Sequence, residues 1–202
     1  IQCEKTGFSI QTSGSDVSRS MIFSAKGDKQ MVKLITEKEL AIIHKWAELP
    51  EIKYNVITEK ANPALDFVAF GIFKEQELVG WATLQNIDYQ NGKAEFGIAF
   101  PNKPANQIAV VGFRAIIEIF EFAFDELKLN RIYIRPIKSN LRTEYERFGF
   151  VTEGIERQAV KRGDVFEDVV VMSILKHEFE RRWKNATGST GYHGGRKRSQ
   201  RL

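Results

Sequence analysis

The chain has 202 residues, enough for one domain of ordinary size, and 43% of them are hydrophobic, enough for one substantial core. No stretch approaches the ~20 consecutive apolar residues of a membrane span, so we expect no membrane partner. A single cysteine, Cys3, excludes an intramolecular disulfide framework and a cysteine-based zinc site. No signal peptide is recognisable, and we expect a cytoplasmic protein.

The net charge of +4 divides unevenly along the chain. Residues 181–202 carry seven of the 30 basic side chains and no acidic one, which leaves residues 1–180 with 23 basic and 26 acidic side chains. A basic terminal segment of this kind favours contact with a polyanion. We therefore expect residues 181–202 to form a Gly-rich basic tail whose partner is nucleic acid or an acidic protein surface.

The first elements in chain order are an extension, a strand and a helix. Residues 1–28 are rich in Ser, Thr, Gly and Lys, and we expect an N-terminal extension there. Residues 30–35 are strand-like. Residues 36–49 predict a helix, because Thr36 and Glu39 have the spacing of a capping box. Apolar residues also recur there at helical spacing, namely Leu40, Ile43 and Trp46.

Three strands are predicted next, over residues 66–74, 78–87 and 91–100. The first two are separated by a short polar connection, which predicts a hairpin. The third begins with Asn91 and Gly92, a dipeptide typical of tight turns. Trp81, on the second of these strands, belongs either to the core or to the wall of a substrate cleft.

A long helix and a second group of strands complete the chain. The helix has one apolar face over about four turns, formed by Phe113, Ile116, Ile117, Phe120, Phe124 and Leu127. Residues 130–137 predict a strand, residues 141–148 a short helix ended by Gly149, and residues 150–175 a strand, a turn and a strand. This order predicts one strand–helix–strand crossover within a mostly antiparallel sheet.

Three segments in the second half of the chain are distinctive: FEFAFDELKLNRIYI, YERFGF and EGIERQAVKRGDVFEDVVVMSIL. With these segments, the order of elements over residues 30–180 resembles the GNAT family of acetyl-CoA-dependent N-acetyltransferases, and within it the branch that acetylates the N-termini of ribosomal proteins and related amines. The resemblance implies an α+β, three-layer GNAT fold: a twisted, mostly antiparallel sheet with one splayed strand pair and flanking helices. We expect this domain over residues 29–180, between the extension and the basic tail.

The resemblance also implies a phosphate-binding motif, Gln/Arg-x-x-Gly-x-Gly/Ala, at the start of the long helix. The matching residues are Gln107, Ile108, Ala109, Val110, Val111 and Gly112, with Val110 at the middle glycine position. A helix start offers unpaired N–H groups to a pyrophosphate, and glycine lets the backbone come close. Two interpretations stay open: these residues bind acetyl-CoA, or they are an ordinary buried helix start with Val110 packed on the sheet.

The same family pattern assigns contacts to the pantetheine arm of the cofactor. The splayed strand is expected to offer the backbone groups of Ile98 and Phe100. An asparagine after the next strand corresponds to Asn140, although its spacing from Tyr145 is shorter than in the family. The implied co-substrate is therefore acetyl-CoA.

Two residues are candidates for acid–base chemistry. Tyr145 corresponds to the family's general acid, since a phenol is protonated at neutral pH and can give its proton to the leaving sulfur; the alternative is an aromatic residue packed under the closing hairpin. Glu95 could take the proton of the amine. Alternation places Glu95 on the face opposite Phe96, Ile98 and Phe100; the alternative is a solvated side chain.

The three histidines have no metal-ligand spacing, and we expect no metal. Together these features predict an acetyl-CoA-dependent N-acetyltransferase that acts by direct attack of a primary amine, either a protein N-terminus or a small molecule. The alternative is a catalytically silent GNAT-fold subunit of a larger assembly, docked by residues 1–28 and by the basic tail, with nucleic acid as one candidate partner.

Overall fold

The computed structural model describes residues 2–3, 8–9, 31–47, 49, 66–101, 105–137 and 142–184. Most of the expected N-terminal extension and all of the basic tail beyond residue 184 lie outside these ranges, so the domain boundaries stay predictions. Of the extension, only a short antiparallel pair is described, β1 (Gln2–Cys3) with β2 (Phe8–Ser9). No helix in the described part is long and apolar enough to span a bilayer.

The described domain is built on one seven-stranded sheet. Its strands are β3 (Val32–Leu34), β4 (Asp66–Lys74), β5 (Glu77–Asp88), β6 (Lys93–Ala99), β7 (Arg131–Ile134), β8 (Val151–Arg162) and β9 (Val165–Leu175). Their spatial order is β3-β4-β5-β6-β7-β9-β8, and β6 with β7 is the one parallel pair among the ladders described. The predicted crossover and mostly antiparallel sheet are confirmed.

Four helices accompany these strands in the described residues. They are α1 (Glu37–Ala47), α2 (Ala105–Glu121), α3 (Arg142–Phe148) and α4 (Lys176–Phe179). Two of them continue as π-helical segments, α2 through Phe122–Glu126 and α4 through Glu180–Lys184. Strand β9 ends at Leu175, as predicted, and His177 lies in α4.

Local signals explain why the first elements form. The backbone N–H of Thr36 donates to the Glu39 carboxylate at 2.9 Å, which confirms one half of the predicted capping box. This helix buries Ile43 but leaves Leu40 42% exposed, so its apolar face is narrower than predicted. The turn between β4 and β5 has Glu75 and Gln76 at φ 49° and 73°, the left-handed values that a two-residue hairpin turn requires.

The two faces of the sheet bury different clusters. The α2 face carries the main core, where Phe70, Leu84 and Phe96 meet the helix, and its centre is the ring of Phe120. That ring lies edge-on to Phe96 at 5.0 Å between centroids. The opposite face, here called the α1 face, carries a smaller cluster of Ile43, Trp81 and Ala99, with Trp46 stacked on Trp81 at 6.0 Å. Trp81 is therefore a core residue.

The apolar face of α2 is rotated relative to the prediction. Phe120 and Phe124 are fully buried as expected, but Phe113 is 37% exposed. The stripe that packs on the sheet instead follows Val111, Ala115 and Ile119. Phe113 packs instead against Phe148 of α3 and Trp183 of the C-terminal segment.

Candidate active site

Strands β6 and β7 separate part-way along β6. Their parallel ladder pairs Lys93, Ala94 and Glu95 with Arg131, Ile132 and Tyr133, and no further pair between the two strands follows in the described residues. β6 continues to Ala99, paired there with β5. Beyond β7 the chain turns towards β9, where the Val170 N–H donates to the carbonyl of Pro136 at 2.9 Å. A V-shaped gap therefore opens beyond Glu95, and the predicted splayed strand pair is confirmed.

The β6 side of this gap ends at Phe100, one of the predicted cofactor contacts. Its ring lies between Gly80 of β5 and Gly112 of α2. A Cβ added at Gly80 would come within 2.5 Å of the Phe100 ring, and one at Gly112 within 3.1 Å. Gly112 thus has a packing role that the sequence did not indicate, because its missing side chain lets α2 lie against Phe100. Ile98 and Phe100 both pack towards the α2 face, as alternation predicted.

The candidate phosphate motif lies in the first two turns of α2. Since α2 begins at Ala105, Gln107 is in the first turn and residues 110–112 are in the second. Only the first turn of a helix has N–H groups without an intrahelical partner, so Ala105 to Gln107 offer them. The side chains of Gln107 and Ile108 lie outside the described residues. Val110 is 65% exposed, so the interpretation that packs it on the sheet is wrong.

Tyr145 lies on α3, on the α2 side of the sheet. The helix ends in a left-handed Gly149 (φ 120°), and the N–H groups of Gly149 and Phe150 both donate to the Tyr145 carbonyl, at 3.1 and 3.0 Å. The Tyr145 ring is edge-on to Phe150 at 5.7 Å. Burial, and then the charge of Glu144, raises the pKa of Tyr145, which keeps the phenol protonated. Asn140 lies outside the described residues.

Glu95 is buried on the α1 face, with 7% of its surface exposed. The alternative of a merely solvated side chain is therefore wrong. The Asn86 carboxamide donates to Glu95 Oε2 at 2.9 Å, and Tyr133 is its partner across the parallel ladder. Burial, and then the negative charge of Glu95, raises the pKa of Tyr133. An acidic group and a phenol thus lie side by side where the two strands part.

Sequence reasoning missed Asn86 and Tyr133. The signal for Asn86 was the spacing of Leu84 and Ile87, two buried residues three apart in a strand whose period should be two. Tyr133 follows from simple alternation in β7, where Ile132 and Ile134 enter the main core. Among the described residues, no group of His, Cys, Asp and Glu side chains is arranged to hold a metal ion.

A family model described as Acetyltransferase (GNAT) domain matches residues 32–171. The chain belongs to the GNAT family. Two curated proteins of Bacillus subtilis (strain 168) resemble this GNAT chain. They are "Putative ribosomal N-acetyltransferase YdaF", 30% identical over 118 residues (57% of this chain), and "Probable N-acetyltransferase YjcK", 34% identical over 115 residues (55% of this chain). The chain spans 63% of the length of each of these relatives.

The GNAT domain also resembles solved structures. One is the spermidine N-acetyltransferase of Vibrio cholerae in complex with CoA and spermine, which has 22% sequence identity and a TM-score of 0.62. The match covers 73% of this chain and 96% of that one. At this level of identity the likeness establishes the fold alone, and the GNAT fold expected from the sequence is confirmed.

Proposed function

We propose that this GNAT domain transfers the acetyl group of acetyl-CoA to a primary amine by direct attack. The observation that carries the proposal is the gap between β6 and β7, with the buried Glu95 carboxylate at the last paired position before it; a protonated phenol, Tyr145, lies on the α2 side of the same sheet. Glu95 forms the last paired position before the gap, and Tyr145 packs against the main core on the other face. Glu95 is suited to accept a proton from the amine, and Tyr145 is suited to donate one to the leaving sulfur.

The residues present fit the co-substrate in two places. The edge of β6 beyond Glu95 has no strand partner on the β7 side in the described residues, so the backbone of Ile98 to Phe100 can bind an extended amide chain. The first turn of α2 offers N–H groups and the positive end of the helix dipole to a pyrophosphate. Bound acetyl-CoA would supply the activated thioester.

The chain's own residues then move two protons. Glu95 accepts a proton from the ammonium group of the acceptor, directly or through water, so the nitrogen lone pair becomes free to form the new C–N bond. Tyr145 gives its phenolic proton to the sulfur as the C–S bond breaks, and the second proton, which the nitrogen loses as the amide forms, passes to solvent, from which Tyr145 is reprotonated. The buried site of Glu95 excludes bulk water, which strengthens its interaction with a cationic amine.

The acceptor that we favour is a protein N-terminus, with a small amine as the second candidate. The name of one Bacillus subtilis relative refers to ribosomal N-acetylation, and several structures of the same fold are spermidine N-acetyltransferases. All of these names describe transfer to an amine. The cytoplasmic location, and the nucleic acid or acidic protein partner of the basic tail, remain predictions from the sequence.

One observation favours the alternative of a catalytically silent GNAT-fold subunit. The N–H groups of Val110, Val111 and Gly112 lie in the second turn of α2, where helical hydrogen bonds already use them. The motif would then bind phosphates through fewer N–H groups than the family pattern implies.

Calorimetric titration of the purified chain with acetyl-CoA, and separately with CoA, distinguishes the two functions. Micromolar binding followed by thiol release with a peptide bearing a free N-terminus, or with spermidine, supports the enzyme. The absence of binding at millimolar acetyl-CoA would overturn it. Binding without thiol release from any amine tested would favour the silent subunit, because the cofactor site would then exist without turnover.

A further inference from the structure

A β-bulge in β5 changes the direction of one side chain. Gln85 pairs with Glu95 and Asp88 pairs with Lys93, so β5 has one more residue than β6 between these two pairs. Leu84 and Ile87 both enter the main core. The extra residue therefore places two consecutive side chains, Gln85 and Asn86, away from the core. Regular alternation would have turned Asn86 towards the α2 face.

The bulge depends on an unusual backbone conformation at Asn86, whose φ is 53°. Asparagine is one of the few residues other than glycine that adopts the left-handed region at low cost. The conformation aims the carboxamide at Glu95, with Nδ2 at 2.9 Å from Oε2. A hydrogen bond with the same carboxamide opposes the rise that burial causes in the pKa of Tyr133. Three adjacent strands thus bring Asn86, Glu95 and Tyr133 together.

A buried carboxylate needs such partners. Removing an ionised group from water is costly unless hydrogen bonds replace its hydration, and Glu95 is buried among the strands of the sheet. A hydrogen bond from Asn86 favours the ionised form of the carboxylate. The hydrogen bond also restricts the orientation of the Glu95 side chain. The backbone conformation of Asn86 sets the direction from which its carboxamide donates.

We infer that Asn86 is a positioning residue: its bulged, left-handed backbone and its carboxamide hold the Glu95 carboxylate ionised and oriented at the point where β6 and β7 part. This inference deepens the proposed function, because an ionised, oriented Glu95 is what acceptance of the amine proton requires. The contact itself does not depend on turnover, so it can be tested in a chain that transfers nothing.

Other titratable and charged groups lie on the strands beside Glu95. On β7, Tyr133 is paired with Glu95. Burial raises the pKa of Tyr133, and the guanidinium charges of Arg135 and Arg131 oppose that rise. Arg135 is itself paired with Glu156 of β8 at 2.6 Å, and Arg131 with Glu153. On β6 itself, Lys93 lies 3.9 Å from Asp88 of β5. None of these residues is changed in the test below, so their influence on Glu95 stays constant.

The test removes the carboxamide while keeping the bulge. Asn86→Gly retains the left-handed conformation, since glycine adopts it freely, and deletes the donor to Glu95. The Glu95 side-chain carboxyl is followed by carbon-13 NMR during a pH titration, with the signal assigned from a Glu95→Gln sample. We expect the titration midpoint to rise by roughly one pH unit, because the ionised form loses its hydrogen bond.

Two further variants calibrate the result. Asn86→Asp also tolerates the left-handed region but places a second negative charge beside Glu95, and we expect a larger rise of the midpoint. Asn91→Gly is the matched control. It removes a carboxamide that donates to the Asp88 carboxylate at 2.7 Å in the adjacent turn, and we expect it to leave the Glu95 midpoint unchanged.

The same variants are measured for acetyl transfer. We expect the acid limb of kcat/KM for the amine to move with the NMR midpoint, while the KM for acetyl-CoA stays constant. An unchanged Glu95 midpoint in Asn86→Gly would overturn the inference, whatever the activity. If the unmodified chain transfers no acetyl group but the midpoint still rises, the positioning contact is supported and the proposed function alone fails.

Discussion

Glu95 and Tyr133 are paired directly across the parallel ladder, and theirs is the last pair before β6 and β7 separate. Each is flanked along its own strand by residues of the main core, Ala94 and Phe96 on β6 and Ile132 and Ile134 on β7. Both side chains therefore project to the α1 face. The position where the sheet opens is also the position where its buried carboxylate lies.

This relationship predicts that Glu95→Gln removes proton acceptance without disturbing the cofactor site. The amide is close in shape to the carboxylate and can still accept from Asn86, but it cannot take a proton from an ammonium group. We expect kcat to fall by about 10²- to 10⁴-fold, while calorimetry gives the same acetyl-CoA affinity as the unmodified chain. Near-normal turnover at neutral pH would assign proton acceptance to another group.

Tyr145→Phe tests the other end of the transfer step. The substitution keeps the edge-on contact with Phe150 and deletes the proton donor, so we expect lower kcat with little change in acetyl-CoA affinity. Since burial raises the pKa of Tyr145, a phenol acting as the acid stays competent at mildly alkaline pH, and activity declines only as the pH rises through that raised pKa. Unchanged turnover in the variant would leave Tyr145 a packing residue.

Local sequence patterns were sufficient to predict most of the strands and helices of this domain. Alternation and turn residues gave β4, β5 and β6 within a few residues, and the Thr36–Glu39 spacing marked the start of α1. The bulge at Asn86 was not predicted, because a single extra residue leaves composition and propensity unchanged and shows only in the three-residue spacing of Leu84 and Ile87. The packing of residues 181–184 was also hidden, since their charge resembles that of a solvated tail. Such contacts depend on elements that are distant in sequence.

The glycines beside Phe100 differ in what a side chain would meet. At Gly80 a Cβ would approach the Ala99 carbonyl oxygen to 2.6 Å as well as the Phe100 ring, and backbone atoms cannot move aside easily. At Gly112 it would meet only the edge of that ring, at 3.1 Å. Alanine there also gains up to about 1 kcal/mol of helix propensity.

We therefore expect Gly80→Ala to lower the free energy of unfolding by about 1–3 kcal/mol, and Gly112→Ala to change it by less than about 1 kcal/mol. Urea unfolding of both variants in the same buffer provides the comparison. An equal loss of unfolding free energy in the two variants would contradict the view that Gly80, and not Gly112, is the glycine that a side chain would disrupt.

Trp183 connects the C-terminal segment by a hydrogen bond to α3, the helix that carries Tyr145. Its indole N–H donates to the Phe148 carbonyl at 3.1 Å, one of the carbonyls that a helix end leaves without a helical partner. Trp183→Phe deletes this bond, and we expect a loss of about 1 kcal/mol in unfolding free energy. Trp46→Phe, in the cluster of the α1 face, is the control. If kcat falls in Trp183→Phe but not in Trp46→Phe, the indole hydrogen bond also holds α3, and with it Tyr145, in position.

The stability of the domain should respond to pH through Glu118 on α2. Burial is the main reason why the pKa of Glu118 is raised, although backbone N–H groups of Val32 and Met31 oppose the effect. A folded pKa above the unfolded value means that the stabilising contribution is complete below the unfolded pKa and is lost as the pH rises through the folded pKa. Ionised Glu118 therefore weakens the fold at neutral pH.

We expect Glu118→Gln to be more stable than the unmodified chain at pH 7 and equally stable at pH 3. Glu39→Gln should show the opposite trend, because the hydrogen bond from the Thr36 side chain is the main cause that lowers the pKa of Glu39. That contribution is present above the unfolded pKa and is lost as the pH falls through the folded pKa. Urea unfolding at pH 3, 5 and 7 measures both, and parallel curves for the two variants would refute the assignment of the pH dependence to these carboxyl groups.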